Sequence, residues 1–477
     1  MQIVLLWSDI CIWLLVLAGI AVGWWSRRQP PLVAAWSRVG ARRPGMAAAT
    51  ILLAFVLVGL LDSMHYREQL PAKDGEKISY SVEVLSVLDR VLVPLRTRLE
   101  KTYSEPMAAR AYAKEMVETR LPDGSMRTLR DYPRLKFGGA VLGDDESGLV
   151  RDVLIRSARA IVIATIVWLG LCFWVVRRCA SSASVVEQGA EPLSLPEAWR
   201  ALWRGETGFA WNAVLLALGA LMFLAAVLIG LAGEYHVFGT DKVGQDVLYQ
   251  VLKSVRTALV IGLVTTLVTL PLAVLLGIIA GYFRGWIDDL IQYVYTTLNS
   301  IPGVLLIAAA VLMMQVMIDT HPQWFATSAE RADLRLLALC FILGLTSWTG
   351  LARLLRGEAL KLRELEYIQA AQAFGVADLR IITRHLLPNL MHIVIIALVM
   401  DFSGLVLAEA VLSYVGIGVD PSMISFGTMI NNARMELGRE PLVWWSLVAA
   451  FSFMFVLVLA ANLLADAVRD AFDPRMA

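Results

Sequence analysis

Charge is scarce in this 477-residue chain: Asp, Glu, Lys and Arg together make up 17% of it, while 58% is hydrophobic. Soluble domains use roughly 45–50% apolar residues, so an ordinary soluble fold is excluded. The charges cancel to +1, and no basic run marks a nucleic-acid partner. There are four cysteines. Cys11, Cys172, Cys179 and Cys340 fall in apolar runs or a short loop, and none lies in the polar stretch from Asp62 to Asp152, so no disulfide framework is indicated. The five histidines, His65, His236, His321, His385 and His392, show no ligand spacing, and no metal site is expected. GxxxxGK[ST], HExxH and GxSxG are all missing. The chain is therefore expected not to be an enzyme, with no catalytic residue and no cofactor of its own.

Long apolar runs are what the sequence has in abundance. Several reach the roughly 20 residues that cross a bilayer, which implies an all-α polytopic membrane protein. Spans are predicted at 3–25, 46–61 and 155–176, then at 212–232, 256–281, 290–316, 335–355, 391–416 and 443–466. Arg27-Arg28 follow the first run rather than precede it, so it reads as a retained span and not a signal peptide. Arg27, Arg28, Arg38, Arg42 and Arg43, with no acid among them, place the first loop in the cytoplasm. The N-terminus is then expected outside and the C-terminus, with Arg469 and Arg475, inside. Four regions follow: two spans in 1–61, an extracytoplasmic insert in 62–154, a third span and cytoplasmic linker in 155–211, and a six-span core in 212–477.

Within the insert, Leu85, Leu88, Leu92, Leu95 and Leu99 recur at helical spacing around Pro94. Ser104 with Pro106 predicts a second helix through Met116, and Pro122-Asp123-Gly124 a turn, with a hairpin as one form of it. The insert reads as a packed cap or as a docking or gating domain. Cys179 to Leu195 reads as a linker, and Trp199, Trp203 and Trp211 with Arg200 and Arg204 as an interfacial helix.

Leu362 to Asn389 is a polar interlude between apolar segments. It reads as a helix over 362–374, a turn at Gly375, a short helix capped by Asp378, and a stop at Pro388. Ala370, Ala371 and Ala373 leave a smooth face rimmed by Arg363, Glu364, Glu366, Arg380 and Arg384. Gln369-Ala370-Ala371, Gly375 and Leu387-Pro388 resemble the cytoplasmic signature loop of ABC importer permeases, with Gln369 where that family usually has Glu. Gly239-Thr240-Asp241, Gly244-Gln245-Asp246 resembles a second signature, of the dipeptide, oligopeptide and nickel branch. It reads as a turn and a surface helix from Val247 to Val255 capped by Thr240 or Asp241. Ala408-Glu409-Ala410, Leu412 to Val419 and Ser425-Phe426-Gly427 match the same branch. The resemblance covers roughly Trp199 to the C-terminus.

It implies a six-helix type I permease core carrying three extra N-terminal spans, in a bacterial inner membrane. It also implies a homologous second permease, one or two ABC ATPases that bind ATP and Mg beneath an elbow including Glu366, and a periplasmic or lipid-anchored substrate-binding protein. Lipid surrounds the whole. Asp401 and Glu409 lie mid-span, where an acid costs on the order of 2.5–3.5 kcal/mol and faces a bundle interior or water; eight residues apart, they read as sharing nearly one helix face. With Asn299 and Pro302 they are candidates for the translocation path, a structural hydrogen bond being the alternative for Glu409 above all. The implied cargo is a di- or oligopeptide; alternatives are nickel or another small solute, or a membrane sensor whose insert binds a ligand.

Overall fold

The computed structural model describes residues 2–70, 80–120, 126–142, 148–181, 194–325 and 327–472. Among them nine helices are long and apolar enough to cross a membrane, the number predicted. The first expected span starts late. Residues Gln2–Val4 form strand β1, and the helix, α1, is Trp7–Ser26. Pro30 opens α2 (Pro30–Ala41), a helix the double proline concealed; proline suits a first turn, where its missing N–H is no loss. After α3 (Arg43–Asp62), β2 (His65–Arg67) pairs antiparallel with both β1 and β3 (Leu85–Ser86).

The insert departs from its periodicity. Ser86 caps α4 (Val87–Val91), and Pro94 sits in the first turn of a separate α5 (Val93–Thr97), leaving Leu85 in a strand and Leu99 beyond the helix. No helix follows Ser104. Its N–H donates to Thr240 Oγ1 at 2.7 Å and its carbonyl accepts from the Thr240 N–H, so it cannot cap, and Met107 at φ 57° breaks the run. Glu115–Arg120 (β4) instead pairs with Met126–Asp131 (β5) as an antiparallel hairpin; Pro122-Asp123-Gly124 lies outside the described residues. α6 (Leu149–Ser181) is longer than expected and carries Arg177-Arg178 within it. Most of the predicted linker, 182–193, lies outside the described residues. Ser194 opens α7 (Leu195–Arg204), the expected amphipathic helix, which packs against α6 and α8 (Trp211–Ala232).

In the core, α9 (Val247–Phe283) is one helix where a surface helix and a span were expected, and Pro271 does not break it. The expected span at 290–316 is instead two helices, α10 (Gly285–Ser300) and α11 (Gly303–Thr320), parted at Pro302. Then come α12 (Ser328–Ser347), α13 (Thr349–Arg363), α14 (Glu366–Ala373), α15 (Asp378–Ile381), a π turn at Ile382–Leu386, α16 (Leu387–Val415), α17 (Phe426–Glu436) and α18 (Trp445–Phe472). α9 is central, packing on α12, α13 and α16. Gly277 and Gly281 allow its close approach to α13: a Cβ at either would press on the Ala352 or Arg356 carbonyl at 2.7 Å.

The N-terminal helices are part of this packing. α1 lies on α9 and α12, and α3 lies between α8, α9 and α18. Polar groups join them at depth. Arg256 of α9 donates to Asp9 Oδ1 at 2.7 Å and to Ser8 Oγ at 2.6 Å, and Ser8 in turn binds Asp333 of α12. His65 Nδ1 contacts the other Asp9 oxygen at 2.8 Å. Lys253 of α9 reaches Asp62 at 2.6 Å and Asp89 at 3.2 Å.

Candidate functional site

The elbow between α13 and α16 is assembled from two breaks and one distortion. The first break falls at Glu364-Leu365, two residues inside the helix expected over 362–374. Gly375 at φ 75° makes the second, its N–H donating to the Gln372 carbonyl at 2.9 Å. No atom crowds a Cβ there, so glycine serves conformation, not space. Pro388 does not end the helix. It occupies the first turn of α16, and the π turn before it absorbs the carbonyl its missing N–H would leave unmatched.

Ile368, Ile381 and Leu386 are fully buried and seat the elbow on the α9–α13 core. Ala371 packs inward with them, so the smooth face narrows to Ala370 and Ala373. Around it, Phe374 is 87% and Leu379 73% exposed, two large apolar side chains on a polar loop. Gln369 is exposed, and its Nε2 donates to the Glu364 carbonyl at 3.3 Å; a glutamate there would have no proton to give.

Two residues assigned to capping and to the charged rim, Asp378 and Arg363, bond to α9 instead. Asp378 is not a cap: Ala377 precedes the helix, and Asp378 Oδ1 accepts from the Tyr282 hydroxyl at 2.6 Å. Gln372 Nε2 donates to the same hydroxyl at 3.2 Å, and Arg363 Nη1 to the Tyr282 carbonyl at 2.6 Å. Glu364 pairs with Arg284. The cytoplasmic-type elbow thus grips the last turn of α9.

The opposite end of α9 is gripped as well. Asp246, rather than Thr240 or Asp241, caps it, Oδ1 accepting from the Leu248 N–H at 2.8 Å. Its Oδ2 meets His236 Nδ1 at 2.8 Å, and His236 Nε2 lies 3.4 Å from Glu100 of the insert. Glu100 also accepts from the N–H groups of Lys136, Phe137 and Gly138 at 2.7–3.0 Å. Burial opposes ionisation of this cluster, yet His236 and the three N–H groups hold the Glu100 carboxyl down at about 2. Asp246 and Glu100, against the same burial, push His236 up to about 9.

Thr240 is buried, donating to the Thr102 carbonyl at 2.9 Å, and its own carbonyl accepts from Trp445 Nε1 at 3.0 Å. Asp241 closes the turn on the N–H groups of Val243 and Gln245, both at 2.9 Å. Gly239 (φ 70°) and Gly244 (φ 75°) are left-handed, and a Cβ on Gly244 would overlap the Glu100 carbonyl. The expected turn at 239–246 forms but is covered by the insert, and the expected surface helix Val247–Val255 is the buried first part of α9.

The mid-span candidates separate. Eight residues turn a helix by about 80° beyond two turns, which takes Asp401 and Glu409 off a common face. Glu409 is buried and accepts from Ser413 Oγ at 2.6 Å and Ser425 Oγ at 2.9 Å, tying α16 to the cap of α17; this is the structural reading. Asn299 accepts from Thr349 at 3.2 Å, linking α10 to α13, and Pro302 marks the α10–α11 break. Asp401 is half-buried and makes no such bond. Tyr282, His236 and Glu100 carried no sequence signal, because their partners lie far away along the chain. Among the described residues no His, Cys, Asp and Glu group forms a metal-binding set.

A nine-helix membrane bundle with a helical elbow between two spans defines a transport subunit. The family model described as "Binding-protein-dependent transport system inner membrane component" matches residues 273–477. The oligopeptide transport system permease protein OppC of Mycobacterium tuberculosis is 31% identical over 242 residues, covering 51% of this chain and 77% of that one. The glutathione transport system permease protein GsiD of Pectobacterium atrosepticum is 30% identical, covering 59% of this chain and 91% of its own. The dipeptide permease DppC of Bacillus subtilis is 27% identical, covering 50% and 69%. The chain belongs to the permease subunits of binding-protein-dependent ABC importers. It is a multi-pass membrane protein of a family that works in complexes with ATPases and binding proteins.

Proposed function

We propose that this chain forms, with a second homologous permease, the path for di- or oligopeptides across a bacterial inner membrane. A binding protein delivers the cargo outside, and one or two ATPases, holding ATP and Mg, close beneath the elbow. The N-terminus lies outside and the C-terminus inside. This chain carries no catalytic role; it converts ATPase closure into alternating access, as a rigid-body rearrangement around the path.

The observation that carries the reading is the elbow. It exposes Phe374 and Leu379 to a partner while its other side is locked to α9 through Tyr282, so a push on the tip reaches the bundle. Peptide cargo is supported by the relatives, whose names specify oligopeptides, dipeptides and glutathione. Affinity purification from native membranes tests this. Recovery of a second permease and phosphate-loop ATPases, with ATP-dependent peptide uptake after reconstitution, supports it. Recovery of the chain alone or with a soluble signalling protein overturns it.

A further inference from the structure

Among the described residues nothing answers the charge of Asp401, the central residue of the 29-residue α16. Other buried acids of the bundle are held: Asp9 and Asp333 flank Arg256, Asp288 pairs with Arg356 at 2.6 Å, and Glu409 takes two serine hydroxyls. Among the described residues Asp401 has no hydrogen bond or ion pair. From Ile393 to Ala433 the sequence contains no Lys, Arg or His, so α16 beyond His392, near its start, and the following loop offer no cation either.

Its position is specific. Asp401 borders the side of α16 on which Met400, Gly404, Leu407, Val411 and Tyr414 are exposed, and an added Cβ on Gly404 would meet nothing. Lipid cannot be what this carboxylate faces without a cost on the order of 2.5–3.5 kcal/mol. A water-filled path on that side would avoid the cost. A carboxylate there, with no cation of its own, is complementary to a cation that arrives and leaves.

We propose that Asp401 receives the protonated α-amino group of the peptide during its passage. This rests on the peptide-permease reading above. The ammonium offers three N–H donors to two carboxylate oxygens, and a single charge contact holds cargo without trapping it, as conduction requires.

The test uses the reconstituted complex with its binding protein, and compares uptake of tri-alanine with that of N-acetyl-tri-alanine. Asp401→Asn keeps the shape and removes the charge. Losing a charge-assisted hydrogen bond at this half-buried carboxylate should lower kcat/KM for tri-alanine by at least about tenfold. Uptake of the acetylated peptide and ATP hydrolysis stimulated by the binding protein should stay within about twofold of wild type on the same reasoning. Asp401→Glu should restore most of the loss. Equal effects on both peptides, or none, overturn the assignment while leaving the importer reading intact; this includes the case where Asp401 pairs with a cation of the second permease. Failure of the wild-type complex to import either peptide overturns both.

Discussion

The Tyr282 hydroxyl donates to Asp378 Oδ1 at 2.6 Å, joining residues 96 positions apart and fastening the elbow to the end of α9. A hydrogen bond to a charged group contributes about 1.5–3 kcal/mol. Tyr282→Phe should leave the chain inserted and the complex assembled but loosen the elbow. The ratio of peptide imported to ATP hydrolysed should fall several-fold. An unchanged ratio would show that the contact does not carry the push.

Phe374 and Leu379 are exposed on a polar loop, and nothing among the described residues covers them. Their removal creates no cavity, so stability should change by less than about 0.5 kcal/mol. As apolar anchors of an interface, each truncation should cost about 2 kcal/mol or more of binding. Phe374→Ala with Leu379→Ala should therefore release the ATPases from the purified complex while the thermal unfolding of the chain is unchanged. Retention of the ATPases by the double variant would place their docking elsewhere.

Gly375 needs φ 75°, which proline cannot adopt, and its N–H closes the turn on Gln372. Gly375→Pro should be inserted in the membrane yet inactive in import, because α14 and α15 could not keep their angle. Wild-type uptake in that variant would contradict the elbow's role as a lever.

The elbow was legible because its information is local: helix-forming residues, a glycine at the turn and a proline at the re-entry lie within one window. Where the sequence reading erred, a distant partner decided. Ser104 and Pro106 form a sound helix start in isolation, but Thr240 takes both backbone groups of Ser104. Asp378 has the form of a cap, but Tyr282 claims its carboxylate. Pro388 reads as a stop only if the helix before it is an α-helix; the π turn removes the conflict. The nine apolar runs were visible because span length is set by the bilayer, whereas the break at Ile301-Pro302 leaves hydropathy untouched. The sequence leaned toward a structural role for Glu409 rather than Asp401, and the serines around Glu409 supply its physical reason.

The Glu100–His236–Asp246 cluster gives the insert's attachment a pH dependence with two edges. His236 is raised from its ordinary value of about 6.5 to about 9. Its contribution is therefore fully present below about 6.5 and is lost as pH rises through about 9. Glu100 is lowered to about 2, so its contribution is present above about 4.5 and fades as pH falls through about 2. Proteolysis of the insert in the intact protein should accelerate as pH passes 9. His236→Gln should be more sensitive already at pH 7 and show no such edge. An identical profile in the variant would remove His236 as the cause.

Asp9 tests whether the three additional helices belong to the transport unit. Its carboxylate is fully buried and serves both Arg256 of α9 and His65 at the start of the insert. A buried ion pair is weak evidence of net stabilisation, but removing one partner leaves a charge stranded, at about 3–5 kcal/mol. Asp333 lies 3.8 Å from the Arg256 guanidinium and would shield part of that loss. Asp9→Ala should therefore destabilise by about 2–4 kcal/mol, read as a lower thermal midpoint in detergent. Asp9→Ala combined with Arg256→Met removes both members of the pair and leaves Asp333 held by Ser8 alone, so part of the loss should return. If Asp9→Ala is neutral, α1 is a separable attachment. If the double variant recovers, α1 and α9 form one body, and movements of α9 during import carry the N-terminal helix with them.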